Sequence, residues 1–539
     1  MKKIGLLIVF SALVCSAWAV PARRGEIVKT QPDGTQIVVY QHGDEHFHWM
    51  TNEKGEWLKM DVDGFYRVTE ALNAEQIEAK RMAAPSRAAQ AATPLNIAPR
   101  GLVILVNFTD VAFETDKAEM DSMLTGKNYT RDYSYFYRGK KQSITSKGSA
   151  WQYFYDSSNG HYDPQFDVIG PVTVSKNMAY YGKNVNDFDA APWTMVKEAC
   201  QLVDDSVDFK QYDNNNDGDV DFVYVIYAGY GEADGGDKNT IWPHSYWLLE
   251  GAGITCKLDG KYVDLYACGN EMDSRTNYHT GIGTFCHEFS HVLGLPDLYE
   301  TTGYGTHKTI GAWSILDYGP YNNDGNTPPA YSAYEQFFMG WLMPRLIVDA
   351  ENVELEELQA SNSALLISTK DQHNLIGNDP KPTTFYLLEN RQQVGWDEYL
   401  PGHGLMLTKV QYSQDKWEQN TVNNSSNRMG VDLIEADGKK PSSSSNGYTG
   451  KAGDLFPAGA TEYLGITNHS IEDVSEQDGI IYFKYRGGIA TSTEQVQTEE
   501  TIVAIYNILG QKQAAVDIES LPHGTYVVVT TAGSKKIVR

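Results

Sequence analysis

The segment Gly281–Asp297 constrains this chain more than any other part of its sequence. It reads Gly-Ile-Gly-Thr-Phe-Cys-His-Glu-Phe-Ser-His-Val-Leu-Gly-Leu-Pro-Asp and contains the pattern His-Glu-x-x-His. On a helix, His287 and His291 lie one turn apart on the same face, so their imidazoles can bind one zinc ion. Apolar residues on the other face predict that this side of the helix is buried.

The same segment offers a general base and a third metal ligand. Glu288 follows the first histidine and can act as general base toward a water at the metal. Gly294 can end the helix in a left-handed conformation, after which Asp297 can turn back as the third ligand. Three protein ligands leave one position for water, as in catalytic zinc sites. A glutamate from a later helix is the alternative, although none lies between Glu300 and Glu335.

A second pattern, Asp213–Asp221, favours calcium. Oxygen-bearing side chains alternate along it, and Gly218 stands at the sixth place, as in an EF-hand loop. The twelfth place holds Tyr224 instead of a bidentate glutamate, so the loop is not a full EF-hand. The alternative is a turn rich in Asp and Asn. The candidate calcium ligands are Asp213, Asn215, Asp217, Asp219 and Asp221.

Charge and length exclude several classes of protein. The chain has 539 residues and a formal net charge of −26 at pH 7, which argues against binding to nucleic acid or to an anionic membrane. Its hydrophobic fraction of 41% is enough for packed cores. A chain of this length is expected to contain several domains.

The first 19 residues have the pattern of a secretory signal peptide. Two lysines precede a short apolar run, and Ala17-Trp18-Ala19 forms a cleavage site. We therefore expect a secreted or cell-surface protein without a transmembrane segment in the mature chain. Export would permit disulfides, but the sequence does not choose among the three pairings of the other four cysteines. These are Cys200, Cys256, Cys268 and Cys286.

Composition divides the remaining chain into four parts. Residues 20–98 are predicted to be a propeptide-like domain and linker, with an ordinary N-terminal β module as the alternative. Residues 99–346 contain buried strand runs and helices and are predicted to be an α/β domain. Residues 347–488 have strand segments between polar turns and are predicted to be a β-sandwich. Residues 489–539 repeat this pattern as a small β domain.

The run His287–Tyr299 resembles the M6 metallopeptidases, the immune-inhibitor-A-like group within the metzincin-like peptidases. Phe222–Gly231, Gly311–Gly319 and Tyr386–Gln392 resemble further blocks of that family. The resemblance implies a metzincin-like α/β (α+β) peptidase domain followed by an all-β domain. It also implies one catalytic zinc ion and protein or peptide substrates.

The segment Gly311–Gly319 stands where the resemblance places the Met-turn. Leu316 occupies the position of the methionine, and leucine can also supply an apolar floor. In some related metzincins a tyrosine two residues later stabilises the oxyanion, and the resemblance implies that role for Tyr318. A packing role is the alternative for this tyrosine.

The C-terminal 50 residues resemble the sorting domain of type IX secretion substrates. The segments that carry the likeness are Ile505–Gln511, Leu521–Val529 and Lys535–Arg539. The resemblance implies that type IX-like secretion machinery is a partner. An adhesive β domain is the alternative.

These observations together predict a secreted zinc-dependent endopeptidase that is made as a zymogen. Glu288 and zinc would activate the water that attacks the peptide bond. The competing hypothesis is a surface adhesin or binding protein with a vestigial peptidase site. The intact pattern from His287 to Asp297 argues against it.

Overall fold

The structure is a computed structural model, and it describes most of the chain in two compact units, Met1–Gly488 and Ile489–Arg539. The predicted signal peptide lies outside the described residues. The described ranges are 20–44, 47–73, 76–77, 100–185, 188–302, 307–440, 449–488, 502–507, 512–513, 525–530 and 533–538.

The first part of the chain forms a five-stranded antiparallel sheet. Each strand pairs with the next in sequence, so the sheet is a meander. The strands are β1 (Ile27–Thr30), β2 (Gln36–Asp44), β3 (Phe47–Thr51), β4 (Trp57–Met60) and β5 (Tyr66–Val68). The short segment before β1, residues 20–24, runs along the next domain and is described with the site.

A mixed sheet follows, with helices on both faces. Its helices are α1 (Lys117–Thr125), α2 (Ala150–Ser157), α3 (Met178–Gly182), α4 (Pro192–Val203), α5 (Gly283–Val292) and α6 (Ala333–Phe338). Its strands and hairpins are β6 (Arg100–Asn107), β7 (Thr130–Tyr137), β8 (Lys140–Lys147), β9 (Gln165–Thr173), β10 (Asn184–Val185), β11 (Phe188–Asp189), β12 (Asp219–Val220), β13 (Val223–Tyr230), β14 (His244–Trp247), β15 (Lys257–Leu258), β16 (Lys261–Val263) and β17 (Leu265–Met272).

The main sheet has the order β14-β17-β13-β6-β9, and only the edge strand β14 is antiparallel to its neighbour. Alternate residues of β6 serve two cores. Leu102 and Ile104 pack in the cluster that contains α4, whereas Val103 and Leu105 pack in the cluster that contains α2 and α5. Burial on both faces explains why β6 reads as a continuous apolar run. β6 and β13 are thus two of the buried strand runs predicted within residues 99–346.

Two further sheets form a sandwich after residue 344. One has the order β18-β20-β21-β22-β23 and the other β19-β25-β24. Apolar side chains from both sheets, including Leu388 and Phe483, form a shared core. The elements are β18 (Arg345–Leu346), β19 (Glu351–Leu355), α7 (Leu358–Ser361), β20 (Leu365–Ile367), β21 (Thr384–Arg391), β22 (Gly404–Gln411), α8 (Gln414–Glu418), β23 (Val431–Leu433), β24 (Ile471–Gln477) and β25 (Ile480–Tyr485).

A buried ion pair joins this sandwich to the preceding domain. Arg391 is fully buried, and its guanidinium donates to both carboxylate oxygens of Asp397 at 2.6 and 2.7 Å. Asp397 also accepts the backbone N–H of Ala330, and Arg391 donates to the Ala330 carbonyl at 3.2 Å. A buried charge is stable only when it is paired and hydrogen-bonded, and here the pair also fixes the loop that leads into α6.

Ile489–Arg539 contains a separate three-stranded antiparallel sheet of order β26-β27-β28. The strands are β26 (Ile502–Asn507), β27 (Thr525–Thr530) and β28 (Gly533–Val538). Among the residues described in both units, no helix is long and apolar enough to cross a membrane. Cys200, Cys256, Cys268 and Cys286 are buried and carry free thiols.

Candidate metal centre

Helix α5 carries the predicted metal-binding pattern, and all its residues except the half-buried Thr284 are buried. Phe285 and Phe289 pack against aromatic residues of β9 and β13 on one side. Position 283 requires glycine, because a Cβ atom there would lie 1.9 Å from the carbonyl oxygen of Pro320. Gly294 has φ +99°, so the predicted left-handed residue after the helix is confirmed.

The two histidines and the aspartate meet at one point. His287 Nε2 lies 3.0 Å from His291 Nε2, and each lies 3.3 Å from Asp297 Oδ1. Among the described residues, these three are the group of His, Cys, Asp and Glu side chains whose ligand atoms all lie within 4.8 Å of one another. The predicted ligands therefore converge, and all three are buried.

Backbone carbonyls fix the orientation of both imidazoles. His287 Nδ1 lies 2.7 Å from the oxygen of Ile315, and His291 Nδ1 lies 2.7 Å from that of Leu295. Each Nδ1 therefore carries the hydrogen, and each Nε2 directs its lone pair toward Asp297. Ile315 belongs to the segment predicted as the Met-turn, which thus lies against the first histidine.

The site has the donor set that a zinc ion requires. Two imidazole lone pairs and a carboxylate oxygen face one another, and Asp297 Oδ1 accepts no hydrogen bond despite its burial. Three acceptors in this arrangement repel one another unless a cation lies between them. His287, His291 and Asp297 would hold that ion.

The protonation states also suit a metal. Burial lowers the pKa of His287, and the neighbouring His291 acts in the same direction, so the imidazole of His287 is neutral at neutral pH. Burial alone would raise the pKa of Asp297, but His291 and His287 outweigh it and lower that pKa. A neutral imidazole and an ionised carboxylate are the forms that bind metal ions.

Asn420, from the loop after α8, positions the third ligand. Its amide nitrogen donates to Asp297 Oδ2 at 2.6 Å, and its amide oxygen accepts the Asp297 N–H at 2.8 Å. The sandwich thus contributes to the metal centre. No local signal in the sequence marks Asn420, because its partner is 123 residues away.

The later glutamate is engaged elsewhere. Glu335 accepts hydrogen bonds from Ser314 Oγ and from the Ser332 N–H, both at 2.5 Å, and it completes a capping box on α6. The structure therefore brings Asp297, not Glu335, to the two histidines.

Glu288 is fully buried, and its carboxylate contacts the start of the described chain. Its Oε1 accepts the backbone N–H of Val20 at 2.9 Å. Tyr318, the predicted oxyanion ligand, lies under the guanidinium of Arg24, whose carbon is 3.5 Å from the ring centroid. Burial raises the pKa of Tyr318.

The predicted calcium loop has a turn structure tied by its own side chains. Asp213 accepts the N–H groups of Asp217 and Gly218, and Asp217 accepts the N–H of Asp219. Asn215 donates to Asp217 and Asp221. The ammonium of Lys261 contacts Asp213 as an ion pair, which the sequence pattern did not indicate.

Comparison with known proteins identifies the domain that surrounds the metal centre. The model of the Immune inhibitor A peptidase M6 catalytic domain matches residues 96–343. Residues 96–343 therefore match the M6 metallopeptidase family. The M6 domain contains α5, the metal-binding group and Tyr318, so the resemblance predicted from His287–Tyr299 is confirmed.

Two curated relatives agree with this assignment. The chain is 26% identical over 296 residues to Pre-pro-metalloprotease PrtV of Vibrio cholerae, a match that covers 48% of this chain and 31% of that protein. It is 28% identical over 269 residues to Immune inhibitor A of Bacillus thuringiensis, with 44% and 39% covered. The chain thus spans between about a third and two fifths of the length of these relatives.

Asn420 offers a test of the positioning of Asp297. We expect Asn420→Gly to weaken zinc binding about 10–100-fold, because the third ligand loses both of its amide contacts. Asn420 has φ +51°, which glycine adopts without strain. Competition for zinc with a chromophoric chelator measures the effect. Asn468→Gly is the matched control, because Asn468 is exposed and also left-handed, with φ +64°. Equal zinc affinity in the two variants would contradict the prediction.

Proposed function

We propose that this protein is a secreted zinc-dependent endopeptidase, made as a zymogen, that hydrolyses peptide bonds in proteins. The observation that carries the proposal is the convergence of His287, His291 and Asp297 beside Glu288. A zinc ion bound there would polarise the scissile carbonyl and make water acidic enough to attack it.

Glu288 is proposed to move the proton. It accepts a proton from the attacking water and then delivers it to the amine of the leaving product. The N–H of Val20, 2.9 Å from Glu288 Oε1, supports the second step, because a backbone nitrogen already lies within proton-transfer distance of this carboxylate.

Tyr318 is proposed to stabilise the negative charge that develops on the carbonyl oxygen. Its raised pKa keeps the phenol protonated at neutral pH, so the hydroxyl can donate a hydrogen bond. Its contact with Arg24 means that the N-terminal segment must leave before a substrate can use this phenol.

Latency is proposed to come from residues 20–24, which cover Glu288 and Tyr318. Val20 is fully buried, and its carbonyl accepts the indole N–H of Trp242 at 3.1 Å. Tyr321 donates to the Pro21 carbonyl at 2.7 Å. A substrate backbone cannot reach Glu288 while this segment holds these contacts, so the segment acts as an intramolecular inhibitor.

The Glu288→Ala variant tests the catalytic mechanism. We expect casein cleavage to fall by about 10²–10⁴-fold, since general acid–base catalysis is lost, while the zinc content stays unchanged. Zinc analysis and casein digestion measure the two effects, and a chelator should abolish cleavage by the parent protein. Glu472→Gln, a change remote from the site in the sandwich, should behave as the parent does. Unchanged cleavage by Glu288→Ala would overturn the mechanism and favour the adhesin hypothesis.

Deletion of residues 20–24 tests latency. The shortened chain should cleave casein from the moment of mixing, because Glu288 and Tyr318 are no longer covered. The full chain should show a lag or a lower initial rate. The same deletion combined with Glu288→Ala is the control and should be inactive. Identical initial rates for the full and shortened active chains would contradict this part of the proposal.

Calcium is proposed to bind the Asp213–Asp221 loop in a structural role. Burial raises the pKa of Asp221, and repulsion from Asp217 and Asp213 adds to it, so a cation would relieve crowding of negative charge. The ammonium of Lys261 partly supplies this charge already.

We expect calcium to raise the melting temperature of the protein and Asp217→Ala to remove that effect. Differential scanning calorimetry with and without calcium measures it. Asp205→Ala, at an exposed aspartate outside the loop, should keep the calcium response. A melting temperature that does not respond to calcium in the parent protein would eliminate the site.

Export through type IX-like secretion machinery is proposed for the C-terminal unit. The support is the resemblance of three of its segments to type IX sorting domains. Comparing the secretion of chains with and without residues 489–539 measures whether this unit is needed for export. Secretion, either into the medium or to the cell surface, is proposed from the predicted signal peptide and from the same C-terminal resemblance.

A further inference from the structure

A pocket of the M6 domain holds the side chain of Arg23. Arg23 is only 6% exposed. Its Nη1 donates to Asp273, and its Nη2 donates to Asp324 Oδ1 at 2.9 Å. A third carboxyl group, that of Asp234, lines the same pocket and is 8% exposed. Two carboxylates of the pocket therefore bind the guanidinium, each at a different nitrogen.

The pocket belongs to the peptidase, whereas its occupant does not. Asp234, Asp273 and Asp324 all lie within residues 96–343, the M6 domain, and Arg23 precedes it. When the N-terminal segment leaves, one cation remains among these carboxyl groups, because Arg275 pairs with Asp324. The vacated pocket then lacks the cation that matched it.

Asp234 supplies a second sign that the pocket is built for a ligand. Its Oδ1 is buried and accepts no hydrogen bond, whereas its Oδ2 accepts one from Asn270 at 3.2 Å. Burial raises the pKa of Asp234 to about 8, and the charge of Asp273 adds to this effect, while Arg23 opposes it. A buried acceptor of this kind is costly unless a donor approaches it.

The geometry of Val20 sets the position of this pocket relative to the reaction, provided that the proposed function holds. Glu288 would protonate the amine of the residue that follows the scissile bond, and the nitrogen within reach of Glu288 is that of Val20. Val20 thus stands in the place of the first residue after the scissile bond. Arg23 stands in the place of the fourth.

The other hydrogen bonds of the segment are made by its backbone. Trp242 and Tyr321 donate to backbone carbonyls of Val20 and Pro21, and the Arg23 N–H donates to the carbonyl of Ala233 at 2.9 Å. Any substrate backbone can make these contacts. The side chains of Val20 and Ala22 are buried against Ala233 and Trp242 and would favour apolar residues. Within residues 20–23, the charged side chain is that of Arg23, so a preference for a charged residue arises in the pocket around it.

We propose that Asp234, Asp273 and Asp324 form a substrate subsite that selects arginine at the fourth residue after the scissile bond. Two carboxylates approach different nitrogens of one planar guanidinium, an arrangement that the single ammonium of lysine does not reproduce. The N-terminal segment then inhibits the enzyme by presenting the same residue that a preferred substrate presents. The substrate class is proteins with an exposed, extended segment that carries this arginine.

Quenched fluorescent peptides test the subsite. They share one cleavable bond and differ only at the fourth residue after it, which is arginine, lysine, citrulline or glutamate. The zinc-loaded full chain is used once it digests casein. Citrulline has the shape of arginine without its charge, so we expect kcat/KM for the arginine peptide to exceed that for citrulline at least about tenfold. Lysine should be intermediate and glutamate poorest.

Two variants assign the preference to the pocket. Asp324→Asn and Asp273→Asn should each reduce the arginine-to-citrulline ratio toward one, because these two carboxylates bind the guanidinium. Asparagine suits position 324, where φ is +54°. Asp237→Asn, at an exposed aspartate near the pocket, should keep the parent ratio.

The outcomes separate the two proposals. Equal rates for arginine and citrulline peptides would overturn the subsite and leave the peptidase function intact. A parent ratio that both pocket variants retain would also overturn it. Failure to cleave any peptide or casein, with zinc bound, would instead overturn the proposed function itself.

Discussion

The repulsion among three metal-ligand atoms, each of which is a hydrogen-bond acceptor, is the constraint around which the M6 domain is organised. His287, His291 and Asp297 hold acceptor atoms 3.0–3.3 Å apart in a site without solvent exposure. Such an arrangement is unfavourable in the absence of a cation, so the surrounding backbone must hold it in place. The carbonyl groups of Ile315 and Leu295 do so by fixing each ring. Pre-organisation of this kind lets the binding energy of a metal go into affinity rather than into ordering side chains.

Support for the centre comes from several parts of the chain at once. Helix α5 packs on the sheet through Phe285 and Phe289, and the loop at Pro320 crosses its N-terminal end where Gly283 gives it room. Asn420 reaches in from the sandwich. The buried pair of Arg391 and Asp397 keeps the sandwich against the loop before α6. Loss of any one support would loosen the ligands without touching them directly.

Sequence reasoning predicts contacts most directly where the residues are close together in the chain. The two histidines, Gly294 and Asp297 lie on one helix and the turn after it, so helix geometry and the turn at Gly294 predict that they lie near one another. It failed for contacts between distant segments. Asn420 and Asp297 are 123 residues apart, and Val20 and Glu288 are 268 residues apart. No periodicity or spacing encodes such pairs, since they depend on how the domains pack.

The Arg23 pocket illustrates the same limit. Asp234, Asp273 and Asp324 lie in three separate connecting segments, and in a chain with 70 acidic residues none of them stands out. Only the packed structure gathers them and places a guanidinium between them. Strand patterning, by contrast, was readable for β6 and β13, because burial on both faces leaves continuous apolar runs.

The hydrogen bonds between Asn420 and Asp297 have a consequence for modularity. The family match ends at residue 343, yet the residue that braces the third ligand lies well beyond that boundary. An M6 domain joined to a different C-terminal domain would lose this hydrogen-bonding partner of Asp297 unless the new domain supplied an equivalent one. A domain that replaces the sandwich would therefore need an amide at this point to hold Asp297 in place.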